Sequence, residues 1–210
     1  MRISDLSRQT GVPTATIKFY LREHLLPPGA MTARNQADYG SEHLRRLRFV
    51  RALTTLGQLD LSTVRELLVA VDDPQLSRRG LYEVVHRALF RGEPVASDTE
   101  GSERAAGEVD EFIDGLGWQV DASAPGRGTL ARVVTALQRL GCELNVDFLV
   151  PFAVAAEQLA LRELDLHSKE GAALDRGAMV ARIVLFEVAF AALRRMAQEH
   201  LLVLRLAADA

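Results

Sequence analysis

The chain has a single cysteine, Cys142, among its 210 residues, so no disulfide can form within it. A reducing compartment, the cytoplasm, suits that thiol count. Aromatic residues are sparse, and Leu, Ala and Val carry the apolar load, a composition that leans towards helix. Uninterrupted apolar runs are missing too. The most apolar stretch, Ile183 to Leu206, is broken by Glu187, Arg194, Arg195, Glu199 and Arg205. A membrane span needs about 20 mostly apolar residues, so this stretch reads as a buried helix and no membrane partner is expected. Met1-Arg2-Ile3-Ser4-Asp5 holds no apolar signal core, and secretion is not expected. His24, His43, His86, His167 and His200 are scattered without ligand spacing, and no glycine-rich phosphate loop or nucleophile elbow is present. Asp165 and His167 read as a polar surface turn. The expectation is no enzyme, with no catalytic residue, no cofactor and no metal.

What is present is unevenly distributed. Residues 1–56 carry nine Lys or Arg and four Asp or Glu, a net +5, and the rest of the chain is −8. Positive charge is concentrated where a polyanion could be met, and the acidic remainder points to another task. Nearly all the basic side chains are arginine; Lys18 and Lys169 are the two lysines.

Local signals divide the N-terminal part into short helices. Ser4 reads as the cap of a helix through Gln9, with Leu6 facing inward. Thr10-Gly11-Val12-Pro13 is a turn, because Gly accepts a positive φ and Pro cannot continue the helix. Thr14 reads as the cap of a second helix, Ala15 to His24. Two short helices joined in this way fit a helix-turn-helix. Pro27-Pro28 ends the second, and the small, polar segment from Gly29 to Gly40 suits a β-hairpin wing. Ser41 reads as the cap of a third helix, Glu42 to Leu56, with Leu44, Leu47, Val50 and Leu53 as its buried stripe. Ser62 reads as the cap of a fourth, Thr63 to Val71, and Leu76 to Phe90 forms a fifth.

The fold class expected is mostly α: an N-terminal winged helix-turn-helix followed by a helical C-terminal domain. The boundaries are 1–74 for the DNA-binding domain, 75–91 for a connecting helix, 92–102 for a linker rich in Gly, Pro and Ser, and 103–210 for a helical effector-binding or dimerisation domain. Within the last, helices are expected at 103–116, 130–140, 146–163 and 178–206, with a loop at 121–128.

Thr16-Ile17-Lys18-Phe19-Tyr20 followed by Leu25-Leu26-Pro27-Pro28 resembles the MerR family of transcription regulators, as do Arg46-Leu47-Arg48-Phe49-Val50-Arg51 and the opening Ile3-Ser4-Asp5-Leu6 with Thr10-Gly11-Val12. The resemblance covers residues 1–72. A helix in the major groove presents its N-terminal residues to base edges. Here these are Thr14, Ala15, Thr16 and Lys18: hydroxyls for bases or phosphates, a methyl for a thymine methyl, and a cation. Lys18 and Arg22 share a face. The family pattern has Arg and Tyr where this chain has Lys18 and Phe19. Tyr20 matches, and divides evenly between core and phosphate contact. The wing lacks the family's Gly-Tyr-Arg tip, so Arg34 is the candidate wing contact, with Tyr39 at its end. Arg46 completes the DNA-binding set.

The resemblance implies a homodimer on a pseudo-palindromic promoter operator in double-stranded DNA, distortion of that DNA, RNA polymerase as a functional partner, and a small-molecule effector. The family's long dimerisation helix is not matched by the fifth helix, which is too short for several heptads. The last helix is the other candidate, although Val184, Phe186, Phe190, Leu193 and Leu201 read first as internal core. Phe152, Glu157, Trp118 and Phe186 are the candidate effector residues, apolar walls around one carboxylate for a cationic ligand. The alternatives are an effector-independent architectural or excisionase-like DNA binder, and a helical enzyme fused to a DNA-binding module.

Overall fold

A computed structural model of the chain describes residues 1–33, 36–90, 99–142, 145–169 and 175–208. It is mostly α with one two-stranded antiparallel hairpin, as the fold class anticipated. Contacts gather the chain into two compact units, Met1–Val85 with Asp175–Ala210, and His86–Leu174.

In the first unit, α1 (Ile3–Thr10) and α2 (Thr14–Arg22) are joined across Gly11, whose φ of +66° lies where a side chain would be strained. The wing follows as β1 (Ala30–Ala33) and β2 (Gln36–Asp38), with Ala30 opposite Asp38 and Met31 opposite Ala37. Gly29 is required at its base: a Cβ there would meet the Asp38 carbonyl oxygen at 2.8 Å and the Tyr39 ring at 2.9 Å. α3 (Ser41–Arg51) runs into a π-helical turn, Ala52–Leu56, and α4 is Leu61–Asp72. α5 is Arg78–Leu89.

Several caps fall one or two residues from where local pattern put them. α1 begins at Ile3, and Asp5 rather than Ser4 closes its first turn, accepting the Arg2 amide at 2.9 Å. Thr14 is the first helical residue of α2, and Pro13 precedes it without a side-chain cap. Ser41 begins α3 after Gly40, whose amide donates to His43 Nδ1 at 3.1 Å. Asp60, not Ser62, caps α4: its carboxylate accepts the Thr63 amide at 2.8 Å and the Ser62 and Thr63 hydroxyls. A carboxylate is the stronger acceptor for a free helical amide, and it suits the positive end of the helix dipole.

The second unit pairs α6 (Thr99–Gly115) with α7 (Pro125–Arg139) around Ala105, Val109, Ile113, Ala131 and Val134. A 3₁₀ turn at Val146–Leu149 leads into α8 (Val150–Lys169). Most of the expected linker, residues 92–98, lies outside the described residues, and Thr99 to Ser102 are helical rather than linker. α7 starts inside the expected 121–128 loop because Pro125 is well suited to a first helical turn, where its missing N–H costs nothing. Asp165 and His167, expected in a turn, are within α8.

α9 (Arg176–Ala208) belongs to the first unit, which divides the region expected to be one domain over 103–210. The reason is packing at its N-terminal end. Met179, Val180, Ile183 and Val184 are buried, and Arg176 donates from Nε to the Val71 carbonyl at 3.0 Å, from Nη2 to Ala70 at 2.8 Å and from Nη1 to Leu76 at 2.7 Å. It thereby satisfies carbonyls freed at the end of α4. Residues 187–206 of the helix are exposed. Phe190, Leu193 and Leu201, read first as core, are 42%, 61% and 54% exposed. Among the described residues, no helix is long and apolar enough to cross a membrane.

Candidate nucleic-acid interface

The surface of interest is built on a small, dry core. Leu6, Ile17, Leu25, Leu26, Leu47, Val50 and Leu53 are almost fully buried, fixing α1, α2 and α3 against one another. Tyr20 belongs to that core, 9% exposed, and Tyr39 at the end of the wing is 8% exposed, its ring edge-on to His43 at 5.1 Å. The Tyr39 amide donates to the Met1 carbonyl at 2.8 Å, which ties the wing to the start of α1.

The side chains that face outward on α2 are those a groove-reading helix needs. Ala15, Lys18 and Arg22 are exposed, and Thr14, Thr16 and Phe19 are half-buried. The Arg22 guanidinium carbon stands 6.0 Å from the Phe19 ring centroid, at the outer limit of a cation–π contact, so Phe19 supports a cation where the family pattern would place a phenol. Lys18 lines a cleft of about 450 Å³ between α1, α2 and the wing, together with Arg2, Leu21, Gln36 and Tyr39. Arg2 lies 3.8 Å from Asp38 and was not among the sequence candidates. Its only signal was a positive charge near the start of α1, and nothing local said that the wing would fold beside it. Arg34 lies outside the described residues.

The arginines of α3 serve other ends. Arg46, placed by sequence among the DNA contacts, has a side chain only 16% exposed; Nε donates to the Leu25 carbonyl at 2.8 Å and Nη1 reaches both Asp72 carboxylate oxygens. Its guanidinium is thus engaged within the fold. Arg51 Nη1 donates to the Thr10 carbonyl. Two arginines of α3 thus hold the ends of α1, α2 and α4. Arg45 pairs with Glu42 at 2.5 Å and with Asp175 at 3.6 Å. Arg48 is exposed and makes no ion pair among the described residues.

The model of the MerR HTH family of regulatory proteins matches residues 1–70, which hold α1, α2, the wing, α3 and most of α4. A solved chain, the putative transcriptional regulator SCO5550 from Streptomyces coelicolor A3(2), is 36% identical over 95% of this chain and 95% of its own, with a TM-score of 0.69. Residues 1–70 thus form a MerR-type helix-turn-helix domain, the kind found in transcription regulators. Curated relatives include the HTH-type transcriptional regulator ZntR homolog of Haemophilus influenzae, 35% identical over 68 residues, 32% of this chain and 50% of that protein. The HTH-type transcriptional regulator CueR of Yersinia pestis is 31% identical over 74 residues, 35% of this chain and 52% of that one. The mercuric resistance operon regulatory protein of Bacillus cereus is 30% identical over 82 residues, 39% and 61% of the two chains. The chain spans about half the length of these curated relatives.

The curated relatives and the solved chain are all named as regulators. Among the described residues there is no group of three His, Cys, Asp or Glu side chains placed to hold a metal ion. The four effector candidates do not share one unit. Trp118 packs on the α6–α7 core, Phe152 and Glu157 are exposed on α8, and Phe186 is on α9 in the first unit.

Proposed function

We propose that this protein is a homodimeric transcription regulator of the MerR type that sets α2 of each subunit into successive major grooves of a pseudo-palindromic promoter operator. The observation that carries the reading is the outward face of α2. Ala15 and Lys18 are exposed at its N-terminal half beside the half-buried Thr16, and Arg22 is exposed at its end, on a helix whose other face is locked into core by Ile17 and Tyr20. Thr14, Ala15 and Thr16 meet base edges; Lys18, Arg22, Arg2 and the wing cation Arg34 neutralise phosphates, with Phe19 and Tyr39 positioning them. Arg46 acts through the fold, not by touching DNA.

The dimer is formed by α9. Leu193, Met196, Leu201, Leu202, Val203, Leu204 and Leu206 are all more than half exposed, far more apolar surface than one helix leaves in water without a partner. Two such helices pairing antiparallel give a two-fold axis, which an inverted-repeat operator mirrors. RNA polymerase is the functional partner on the distorted promoter, and a small molecule biases the two states.

Selection of operator DNA from a random pool, followed by sedimentation of the complex, tests this. The expected result is an inverted repeat bound by two chains, and a Leu201→Asp, Leu204→Asp variant that sediments as a monomer and binds a half-site weakly. A single asymmetric site bound by one chain would overturn the dimeric reading and favour an architectural binder.

A further inference from the structure

We propose that the cleft between α3, α4 and the first turns of α9 binds an apolar carboxylic acid, its hydrocarbon on Phe49 and Leu68 and its carboxylate on Arg48. The site is different from the effector residues expected in the C-terminal half, and none of those lines it. Its regulatory meaning rests on the proposed regulator; its binding chemistry does not.

The cleft has a volume of about 470 Å³, within the range that takes small molecules, and lies wholly within the first unit. Its floor is apolar, with Phe49 and Ala52 from the α3 region, Leu68 and Val71 from α4, and Ala181 from α9, and the exposed Ala178 lines its edge. The small side chains on α9 make the space. A Cβ on neighbouring Gly177 would only just touch the Phe49 ring, at 3.9 Å, so the helix does not close down on α3 there.

Six charged side chains border this floor, and five of them are matched in place. Arg45 lies between Glu42 and Asp175, and Arg46 holds Asp72. A cationic ligand would find each of these carboxylates already paired. Arg48 remains, the lining cation with no ion pair among the described residues. One free guanidinium over an apolar floor selects one anionic group on an apolar body. A carboxylate suits it, because guanidinium and carboxylate match as a planar, bidentate pair. A multiply charged phosphate would leave the floor unused.

The lining comes from both the winged helix-turn-helix and α9. A ligand there adds contacts whose number depends on how α9 lies against α3 and α4. Differential contact of this kind is what couples a ligand to a conformational equilibrium.

The test is calorimetric titration of the full chain with decanoate, and with decanol as a neutral body of the same length, both below their aggregation limits. The expected result is one decanoate per protomer, with decanol weaker by about tenfold, the size of one charge-assisted hydrogen bond. Arg48→Gln should weaken decanoate by about tenfold and leave decanol unchanged. Ala178→Leu, at an exposed lining position, should abolish both while keeping the wild-type melting temperature. Equal binding of acid and alcohol, or an Arg48→Gln variant that binds decanoate normally, would overturn the proposal. So would an Ala178→Leu variant that changes the dimer dissociation constant with no decanoate binding in the wild type, since the cleft would then belong to a second copy. Operator binding is measured on the same preparations. Absent decanoate binding with intact operator binding removes this site alone, whereas absent operator binding removes the regulator reading.

Discussion

Arg46 on α3 reaches across 26 residues of sequence to Asp72 at the end of α4, with Nη1 2.8 and 2.7 Å from the two carboxylate oxygens. Its Nε holds the Leu25 carbonyl as well. One guanidinium therefore fixes the exit of α2 and the end of α4 to the same helix, and α2 is the helix that would read DNA. Removing it leaves a part-buried carbonyl without its donor. Arg46→Ala should lower unfolding stability by about 1–3 kcal/mol, read from denaturant midpoints. The slope of operator affinity against salt should not change. A flattened salt slope at unchanged stability would return Arg46 to the DNA contacts.

Lys18 should behave in the opposite way. It is exposed on α2, and an alanine there removes a cation without opening the core. Lys18→Ala should leave the melting temperature alone and weaken operator binding, with the salt slope falling by about one unit. Arg34→Ala should do the same if the wing cation meets a phosphate. An unchanged slope in either variant would remove that residue from the interface.

Arg176 offers a test of how α9 is held. Its three donors satisfy the Ala70, Val71 and Leu76 carbonyls at 2.8, 3.0 and 2.7 Å. Arg176→Ala should cost about 2–4 kcal/mol, since several part-buried acceptors lose a charged donor together. Amide exchange should accelerate at the end of α4 and the first turns of α9, and not in α6 and α7, which lie in the other unit. Uniform acceleration across both units would show that the clamp is not local.

The Asp60 cap gives a pH signature. Hydrogen bonds from the Ser62 hydroxyl and the Thr63 amide hold its carboxyl at about 2, below the ordinary 3.8. A depressed carboxylate stabilises the folded chain above its ordinary value, and that contribution is lost as pH falls through the folded one. Asp60→Asn still accepts the Thr63 amide but cannot titrate. Between about pH 4 and pH 2 the wild type should therefore lose more stability than the variant, as read from urea midpoints. Parallel loss in the two proteins would assign the acid sensitivity to other carboxyls.

The helix-turn-helix was legible because its signals are local. Gly11 and Pro13 mark the turn, Gly29 and Gly40 bracket the wing, and Leu47, Val50 and Leu53 set the buried face of α3. Each depends on backbone sterics or helical period within a few residues, which sequence encodes directly. The exposed face of α2 was legible for the same reason, since burying Ile17 and Tyr20 leaves Ala15 and Lys18 outside.

The cap positions were less legible, because Ser, Thr and Asp compete at neighbouring positions and the geometry of the preceding residue chooses between them. The fate of the arginines was not legible at all. Arg45, Arg46, Arg48 and Arg51 look alike along one helix, and only their distant neighbours separate two internal clamps, a surface pair and an unmatched cation. The sequence by itself determined a basic winged helix-turn-helix followed by helices. The tertiary structure decided that the last helix returns to the first unit, through an Arg176 that meets Ala70 across 106 residues and an apolar stripe at Val180 and Val184. Side-chain chemistry states what partner a guanidinium needs; which carbonyl or carboxylate supplies it is set only when the chain has folded.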